Sequence, residues 1–98
     1  MHAIGLDIGS SSIKGAVLDL VSGSIGPAVV RPFPALIAGL PGGWFEVSPP
    51  AIEAAVREAI DELLRQCPAP AGLFVSGQMG GLILVNASGS ALTNYLSW

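Results

Sequence analysis

Short apolar runs alternate along the chain with clusters of glycine, proline and serine, and one longer helical pattern lies near the middle. Apolar runs of about four to eight residues bounded by such turn residues are typical of strands. On this basis the sequence predicts strands at residues 3–8, 13–20, 25–30, 71–75 and 82–85.

The helical pattern predicts one helix from about Pro49 to Gln66. Ser48 is a suitable N-cap and Pro49 suits the first helical position, whereas Pro68 cannot continue the helix. Apolar residues recur at helical spacing. The face expected to pack on the sheet consists of Ile52, Val56, Ile60 and Leu63. We therefore expect this helix to belong to the scaffold and to carry no chemistry.

These elements predict an α/β fold, with a mixed five-stranded sheet and one helix covering one of its faces. Strands that point apolar side chains to both faces need cover on both, and residues 66–98 contain no charged side chain to form a solvated surface. Residues 1–98 are therefore expected to be the first part of a domain that continues in a longer chain. The alternative is an oligomer, such as a homodimer, that buries the open face, and the isolated chain is expected to aggregate or oligomerise.

Composition and charge exclude two classes of partner. The formal net charge is −3 with only four Lys and Arg, so a clustered basic surface for nucleic acid is not expected. The chain is 51% hydrophobic, with a mean hydropathy of +0.66, yet no apolar run approaches the ~20 residues of a membrane-spanning helix. The single Cys67 permits no internal disulfide, and Met1 is followed by no basic segment typical of a secretion signal. A cytoplasmic location is therefore expected.

The segment with the most chemical information is residues 7–14, with the sequence DIGSSSIK. Asp7 lies near the end of an apolar strand, where a carboxylate is costly to bury without a cation. Gly9 permits a tight turn, and the serines that follow offer hydroxyl and N–H groups to an anion. The group suits a phosphate and its magnesium ion. The alternative is an ordinary hairpin whose turn is rich in glycine and serine.

A second region of interest is the loop at residues 32–50, which is rich in proline and glycine. Trp44 and Phe45 place two large apolar side chains in this loop. They either pin the loop to the core or line a binding site.

Three separated segments together resemble the FGGY carbohydrate kinases, a family of the actin-like ATPase superfamily. Residues 7–14 resemble the family's first phosphate motif. Residues 43–49 (GWFEVSP) are similar to its Gly-Trp-x-Glu-x-Asp-Pro segment. Residues 75–82 (VSGQMGGL) and 96–98 (LSW) are similar to its Gly-Gln-Met-His-Gly loop and the Leu-Trp pair that precedes an acidic residue. The segments occur in the family's order and cover essentially the whole chain.

The resemblance implies a ribonuclease H-like fold, of which residues 1–98 would be the N-terminal part of the first actin-like ATPase lobe. It also implies a kinase that uses ATP and Mg²⁺ to phosphorylate a sugar or polyol hydroxyl, with a pentulose such as xylulose as the favoured acceptor. The family's catalytic aspartate and adenine-binding segments would lie beyond Trp98, so the 98-residue chain alone is expected to be inactive. Two departures are notable. Gly80 stands where the family has histidine, which leaves the sugar open, and Ser48 replaces an aspartate but can still cap the helix.

The resemblance also implies residue roles. Asp7 would hold the magnesium ion, through water, and contribute to catalysis. The nucleotide phosphates would contact Gly9, Ser10, Ser11, Ser12 and Lys14. The sugar would contact Gln78, Met79, Gly80, Trp44 and Glu46. Plain structural roles are the alternatives: an exposed strand lysine for Lys14, a turn residue for Gln78 and core packing for Met79.

Two functions from different classes therefore compete. The first is an enzyme, the start of a carbohydrate kinase. The second is non-catalytic: a truncated fragment, or a stand-alone sheet domain that binds a partner through its open face. An activator-type ATPase of the same superfamily is a weaker third interpretation, against which the Gln-Met loop argues.

Overall fold

The computed structural model describes residues 1–78 and 80–97, which form six strands and one helix. In chain order the elements are β1 (His2–Ile8), β2 (Ser12–Asp19), β3 (Val29–Pro32), β4 (Phe45–Val47), α1 (Pro49–Gln66), β5 (Leu73–Gly77) and β6 (Tyr95–Ser97). The chain divides into two compact units: Met1–Phe33 with Ala55–Gln78, and Pro34–Ala54 with the described part of residues 79–98. Among the described residues, no helix combines the length and apolar character needed to cross a membrane.

The first unit is built on a four-stranded sheet in the order β3-β2-β1-β5. β1 runs antiparallel to β2 and parallel to β5, and β2 runs antiparallel to β3. The sheet is therefore mixed, as predicted. Parallel pairing of β1 with β5 brings the carboxyl ends of both strands to the same edge of the sheet.

Helix α1 spans the residues that the sequence predicts, because both of its ends are set by local chemistry. The Ala51 N–H donates to Ser48 Oγ at 3.4 Å, and the Ile52 N–H donates to the Ser48 carbonyl at 3.1 Å. Ser48 is thus the N-cap. At the other end the Cys67 N–H still reaches the Leu63 carbonyl at 2.9 Å, and Pro68 follows without an N–H to continue the pattern.

The core of the first unit lies between α1 and one face of the sheet. It consists of Ile4, Leu6, Ile13, Val29, Ala59 and Leu63, with Val56 and Ile60 packed against it. The predicted helix face is confirmed for Val56, Ile60 and Leu63, whereas Ile52 is half-buried and falls in the second unit. A Cβ at Gly15 would lie 2.6 Å from Leu63 Cδ1, so the helix packs directly on the strand backbone there.

An ion-pair cluster ties β3 to α1. The Arg31 guanidinium donates to Glu62 and lies 3.9 Å from a Glu58 carboxylate oxygen. The side chains of Arg31 and Glu62 are about one-third exposed. This geometry favours a modest contribution to stability.

The prediction of five strands in one sheet is wrong in two places. Residues 82–85 form no strand: Leu82 and Val85 make only isolated bridges, to Leu96 and Ala91. The Leu84 N–H bonds the Thr93 hydroxyl at 3.1 Å, so a side chain takes the place of a ladder carbonyl. The segment at 25–30 is also displaced.

Strand β3 begins at Val29, four residues later than predicted, and only Ile25 makes a bridge before it, to Leu18. Pro27 has no N–H to give a ladder, and the preceding Gly26 N–H donates singly to the Val17 carbonyl at 2.8 Å. Strand β5 is likewise displaced: it begins at Leu73, two residues later than the predicted start at residue 71.

The second unit contains a small sheet that the sequence did not predict. Strands β4 and β6 pair antiparallel, with Val47 opposite Tyr95. The Ile37 N–H donates to the Glu46 carbonyl at 2.8 Å and the Trp44 N–H to the Pro41 carbonyl at 3.1 Å. These bonds fix the loop that carries Trp44 and Glu46.

Candidate functional site

Three polar side chains form a row across neighbouring strands of the first unit. The register aligns Asp7 of β1 with Lys14 of β2 and with Ser76 of β5. Successive side chains of a strand alternate between the two faces of a sheet. Leu6 and Ile8 face the helix-covered core, so Asp7 and its aligned neighbours lie on the opposite face. All three residues of the row are exposed.

The Asp7 carboxylate is held from one side. The Ser76 hydroxyl donates to Asp7 Oδ1 at 2.8 Å. Within residues 1–78 and 80–97, no ion pair joins Lys14 to Asp7, and Oδ2 has no protein partner. One carboxylate oxygen is therefore engaged and the other is available to a ligand.

The turn after β1 requires glycine at position 9, because the backbone of Ser12 lies too close to leave room for a side chain. The Gly9 N–H donates to the Ser12 carbonyl at 3.0 Å, and a Cβ at Gly9 would lie 2.8 Å from that oxygen. The Phe33 N–H bonds the Ser11 carbonyl at 3.0 Å and holds the turn from β3. Ser10 and Ser11 are exposed, and among the described residues their N–H groups meet no acceptor. Two free N–H groups at a glycine turn are the donors an anion needs.

Gln78 lies against the same turn. Its N–H donates to the Ile8 carbonyl at 2.9 Å, and its side-chain amide lies 3.4 Å from the Gly9 carbonyl. The residue expected at the sugar therefore contacts the expected phosphate turn. The neighbouring Met79, also expected at the sugar, lies outside the described residues.

The donor set fits a magnesium ion only when phosphate accompanies it. No group of three or more His, Cys, Asp or Glu side chains that could hold a metal occurs in the described chain. Mg²⁺ commonly keeps several waters and is bound through one or two carboxylates plus substrate phosphates. Asp7, with one free oxygen beside a turn that offers free N–H groups, meets that requirement.

The other residues expected to contact the sugar lie in the second unit. Trp44 is 61% exposed. Glu46 accepts a hydrogen bond from the Asn94 side-chain amide at 3.1 Å. Both residues line an open groove of about 1030 Å³, together with Glu53 and Thr93. An aromatic surface beside hydrogen-bonded polar groups is a suitable lining for a small polar ligand.

Gly80 has a conformational reason to be glycine. Its φ is +82° and that of Gly81 is +100°, a region that side-chain-bearing residues seldom adopt. The Tyr95 hydroxyl donates to the Gly80 carbonyl at 2.8 Å, and the Tyr95 ring occupies the space where a Cβ at Gly81 would lie. At position 80 the protein therefore offers backbone atoms alone, without a side chain.

Sequence reasoning did not assign a role to Ser76 or Asn94. Ser76 stands one residue after a predicted strand, and parallel pairing of that strand with β1 would have placed it beside Asp7. Asn94 had no comparable signal, because its contact with Glu46 joins segments 48 residues apart.

The chain is similar to several solved sugar kinases. It matches gluconate kinase from Lactobacillus acidophilus with 32% identity and a TM-score of 0.83, over 99% of this chain and 19% of that one. Xylulose kinase from the same organism gives 32% identity, a TM-score of 0.82 and the same two coverages. Glycerol kinase from Plasmodium falciparum with ADP shares the fold, with a TM-score of 0.79 at 17% identity, over 99% of this chain and 20% of that one.

The chain thus spans about a fifth of the length of the kinases it matches. No family model matches it, and no curated protein does. The structural matches confirm the predicted mixed sheet with one helix as the actin-like ATPase first-lobe fold. They also confirm the resemblance to the FGGY carbohydrate kinases.

Proposed function

Since the chain has the fold and the motifs of FGGY carbohydrate kinases, we propose that it supplies the phosphate-binding part of an ATP-dependent carbohydrate kinase. The observation that carries the proposal is the exposed row of Lys14, Asp7 and Ser76 beside the Gly9 turn. A plain hairpin turn does not require a carboxylate with a free oxygen at that place.

The expected cytoplasmic location stays a prediction, which rests on the single Cys67.

Each residue of the turn has a defined task in this proposal. Phosphoryl transfer depends on placed charges and on alignment, with little covalent chemistry for the protein to perform. Bound Mg·ATP supplies the γ-phosphoryl group and a cation that offsets its charge. Asp7 offers Oδ2 to the water shell of the ion. The Ser10 and Ser11 N–H groups and the Ser12 hydroxyl contact phosphate oxygens, and Gly9 lets the phosphates approach the turn backbone closely. Lys14 adds positive charge on the same face as Asp7.

For the acceptor we propose a sugar or polyol, with a pentulose such as xylulose as the first candidate. The support is the Gly-Gln-Met loop and the similarity to a xylulose kinase, although a gluconate kinase is equally similar. The residues proposed to contact this substrate are Trp44, Glu46, Gln78, Met79 and Gly80. The groove of about 1030 Å³ that Trp44 and Glu46 line has room for a polar ligand the size of a sugar.

A partner-binding role is the second candidate, and one observation favours it. The face of the sheet opposite α1 is bare: Val30 is 51% exposed and Phe74 67% exposed. Such a face suits burial against another protein surface. This role would need no ligand at Asp7.

The test is ATP turnover by the complete natural gene product that carries this sequence, assayed against a panel of ketoses, aldoses and polyols. Asp7→Asn keeps the side-chain shape and removes the charge, and we expect it to lower kcat by at least ~100-fold. Asp19→Asn is the matched control. Asp19 is also a strand-end carboxylate of the first unit, but its Oδ1 accepts the N–H groups of Val21 and Ser22 within a turn.

We expect the control to retain near-normal kcat. No phosphoryl transfer to any member of the panel, or near-normal kcat in Asp7→Asn, would refute the kinase proposal for this site and leave the partner-binding role.

A further inference from the structure

We propose that Ser76 is a positioning residue for the Asp7 carboxylate, a role that rests on the proposed function and extends it to β5. The Ser76 hydroxyl donates to Asp7 Oδ1 at 2.8 Å. The bond joins two residues 69 positions apart, which parallel pairing of β1 and β5 places side by side. It is therefore a product of the tertiary fold and not of local turn chemistry.

Among the residues that the structure describes, the Asp7 carboxylate has no other anchor. Asp7 is exposed, and within residues 1–78 and 80–97 neither Lys14 nor any other cation pairs with it. An exposed, unanchored aspartate would sample several rotamers. A hydrogen bond to a charged acceptor is stronger than one between neutral groups, so one hydroxyl is enough to favour a single orientation.

That orientation leaves the other oxygen on the side of the turn. Asp7 Oδ2 would lie 3.8 Å from a Cβ placed on Gly9, so it lies close to the turn in which the Ser10 and Ser11 N–H groups meet no acceptor among the described residues. A serine hydroxyl has one hydrogen and two acceptor lone pairs. Because the hydrogen is directed to Asp7, the lone pairs remain available to accept hydrogen bonds from water around a bound cation.

The two residues aligned with Asp7 thus have different roles in this proposal. Ser76 orients the carboxylate by direct contact from β5. Lys14, aligned from β2, acts on the bound phosphates through its charge and leaves Asp7 unpaired. Residues that orient a metal-binding side chain commonly matter about 10- to 100-fold for affinity or activity.

The experiment is a double-mutant cycle on the complete natural gene product, with calorimetric titration of ADP in the presence and absence of Mg²⁺. The variants are Ser76→Ala, Ser76→Thr, Asp7→Asn and the double variant Ser76→Ala with Asp7→Asn. Ser24→Ala is the control, because its hydroxyl is exposed in the same unit but lies 2.8 Å from that of Ser22.

We expect Ser76→Ala to weaken Mg·ADP binding about 10-fold, to leave binding of metal-free ADP unchanged, and to lower kcat without raising the KM for the sugar. Ser76→Thr keeps the hydroxyl and should restore affinity to within about 2-fold. In the Asp7→Asn background, Ser76→Ala should cause no further loss, since a positioning residue has nothing left to orient.

Three results would overturn the inference while leaving the kinase proposal intact: additive losses in the double variant, equal losses with and without Mg²⁺, or no rescue by threonine. If Asp7→Asn itself left Mg·ADP binding unchanged, the proposed metal role of Asp7 and the role of Ser76 would both be wrong. Ser24→Ala should bind like the unmodified protein.

Discussion

The two faces of the four-stranded sheet differ although they are built from the same strands. On the face under α1, Ile4 and Ile13 are almost wholly buried, and Gly15 lets Leu63 approach the backbone. On the other face, Asp7, Lys14 and Ser76 stand exposed at one edge, and Phe74 is bare beside them. One face is therefore packed into the core, and the other leaves polar and apolar side chains exposed.

This separation follows from the period of a strand. In β1, Leu6 lies in the core and Asp7, one residue later, lies in solvent. A change of one residue in register would exchange the two faces completely. Substitutions on the two faces should thus have different consequences, even where they lie next to each other in sequence.

The largest effect on folding is expected for Leu63→Ala. Leu63 is 0% exposed and packs on Gly15, and truncating a buried leucine commonly costs about 2–5 kcal/mol of unfolding free energy. Phe74→Ala, on the bare face at 67% exposure, should cost much less despite its larger volume change. Urea unfolding followed by circular dichroism measures both. Equal losses would mean that the two faces are equally packed.

Gly15→Ala should give the next largest loss, with Gly5→Ala as its control. A Cβ at Gly15 would meet Leu63 at 2.6 Å and the Gly5 carbonyl at 3.0 Å, whereas one at Gly5 meets nothing within 4 Å. Overpacking of this kind costs about 1–3 kcal/mol. The same unfolding measurement should find Gly5→Ala close to the unmodified protein. A stable Gly15→Ala variant would contradict the close packing of α1 on β2.

The helix and the first strand were predicted well from the sequence. The helix Pro49–Gln66 was predicted to the residue, because apolar spacing, Ser48 and Pro68 are all local signals. Strand β1 was predicted to within one residue for the same reason.

The pairing of β4 with β6 was missed, and a strand was expected at residues 82–85 instead. Three-residue strands carry too few positions for a pattern, and their partners lie far away in the chain. The candidate site shows the same limit. The Asp7-to-Lys14 segment could be read from sequence, but the Ser76 contact depends on a parallel register that joins distant residues.

Self-association of the isolated 98-residue chain is the third expectation, and it concerns the bare face. Multi-angle light scattering should show a mass that rises with concentration, because large apolar side chains such as Phe74 are exposed. Phe74→Ser should shift the mass toward the monomer. A monodisperse monomer at high concentration with a cooperative thermal transition would contradict this expectation.

The smallest effect is a pH dependence at Asp19. Hydrogen bonds from the Val21 and Ser22 N–H groups, at 2.8 Å and 3.2 Å, hold the pKa of the Asp19 carboxyl below its ordinary value of 3.8. A lowered folded-state pKa stabilises the fold above the unfolded-state pKa, and this stabilisation is lost as the pH falls through the folded-state value. The Tm difference between the unmodified chain and Asp19→Asn should therefore be constant near neutral pH and shrink in acid. A difference that grows in acid would contradict it.

The most direct test of the central claim is the location of bound phosphate. In the complete natural gene product labelled with ¹⁵N, titration with Mg·ADP should shift the amide signals of Gly9, Ser10 and Ser11 before those elsewhere in the sheet. In Asp7→Asn the same shifts should need at least ~10-fold more Mg·ADP, since a charge-assisted contact has been removed. Saturable shifts that leave the Gly9 turn unaffected, or that are the same in Asp7→Asn, would show that the turn does not hold a magnesium-bound nucleotide.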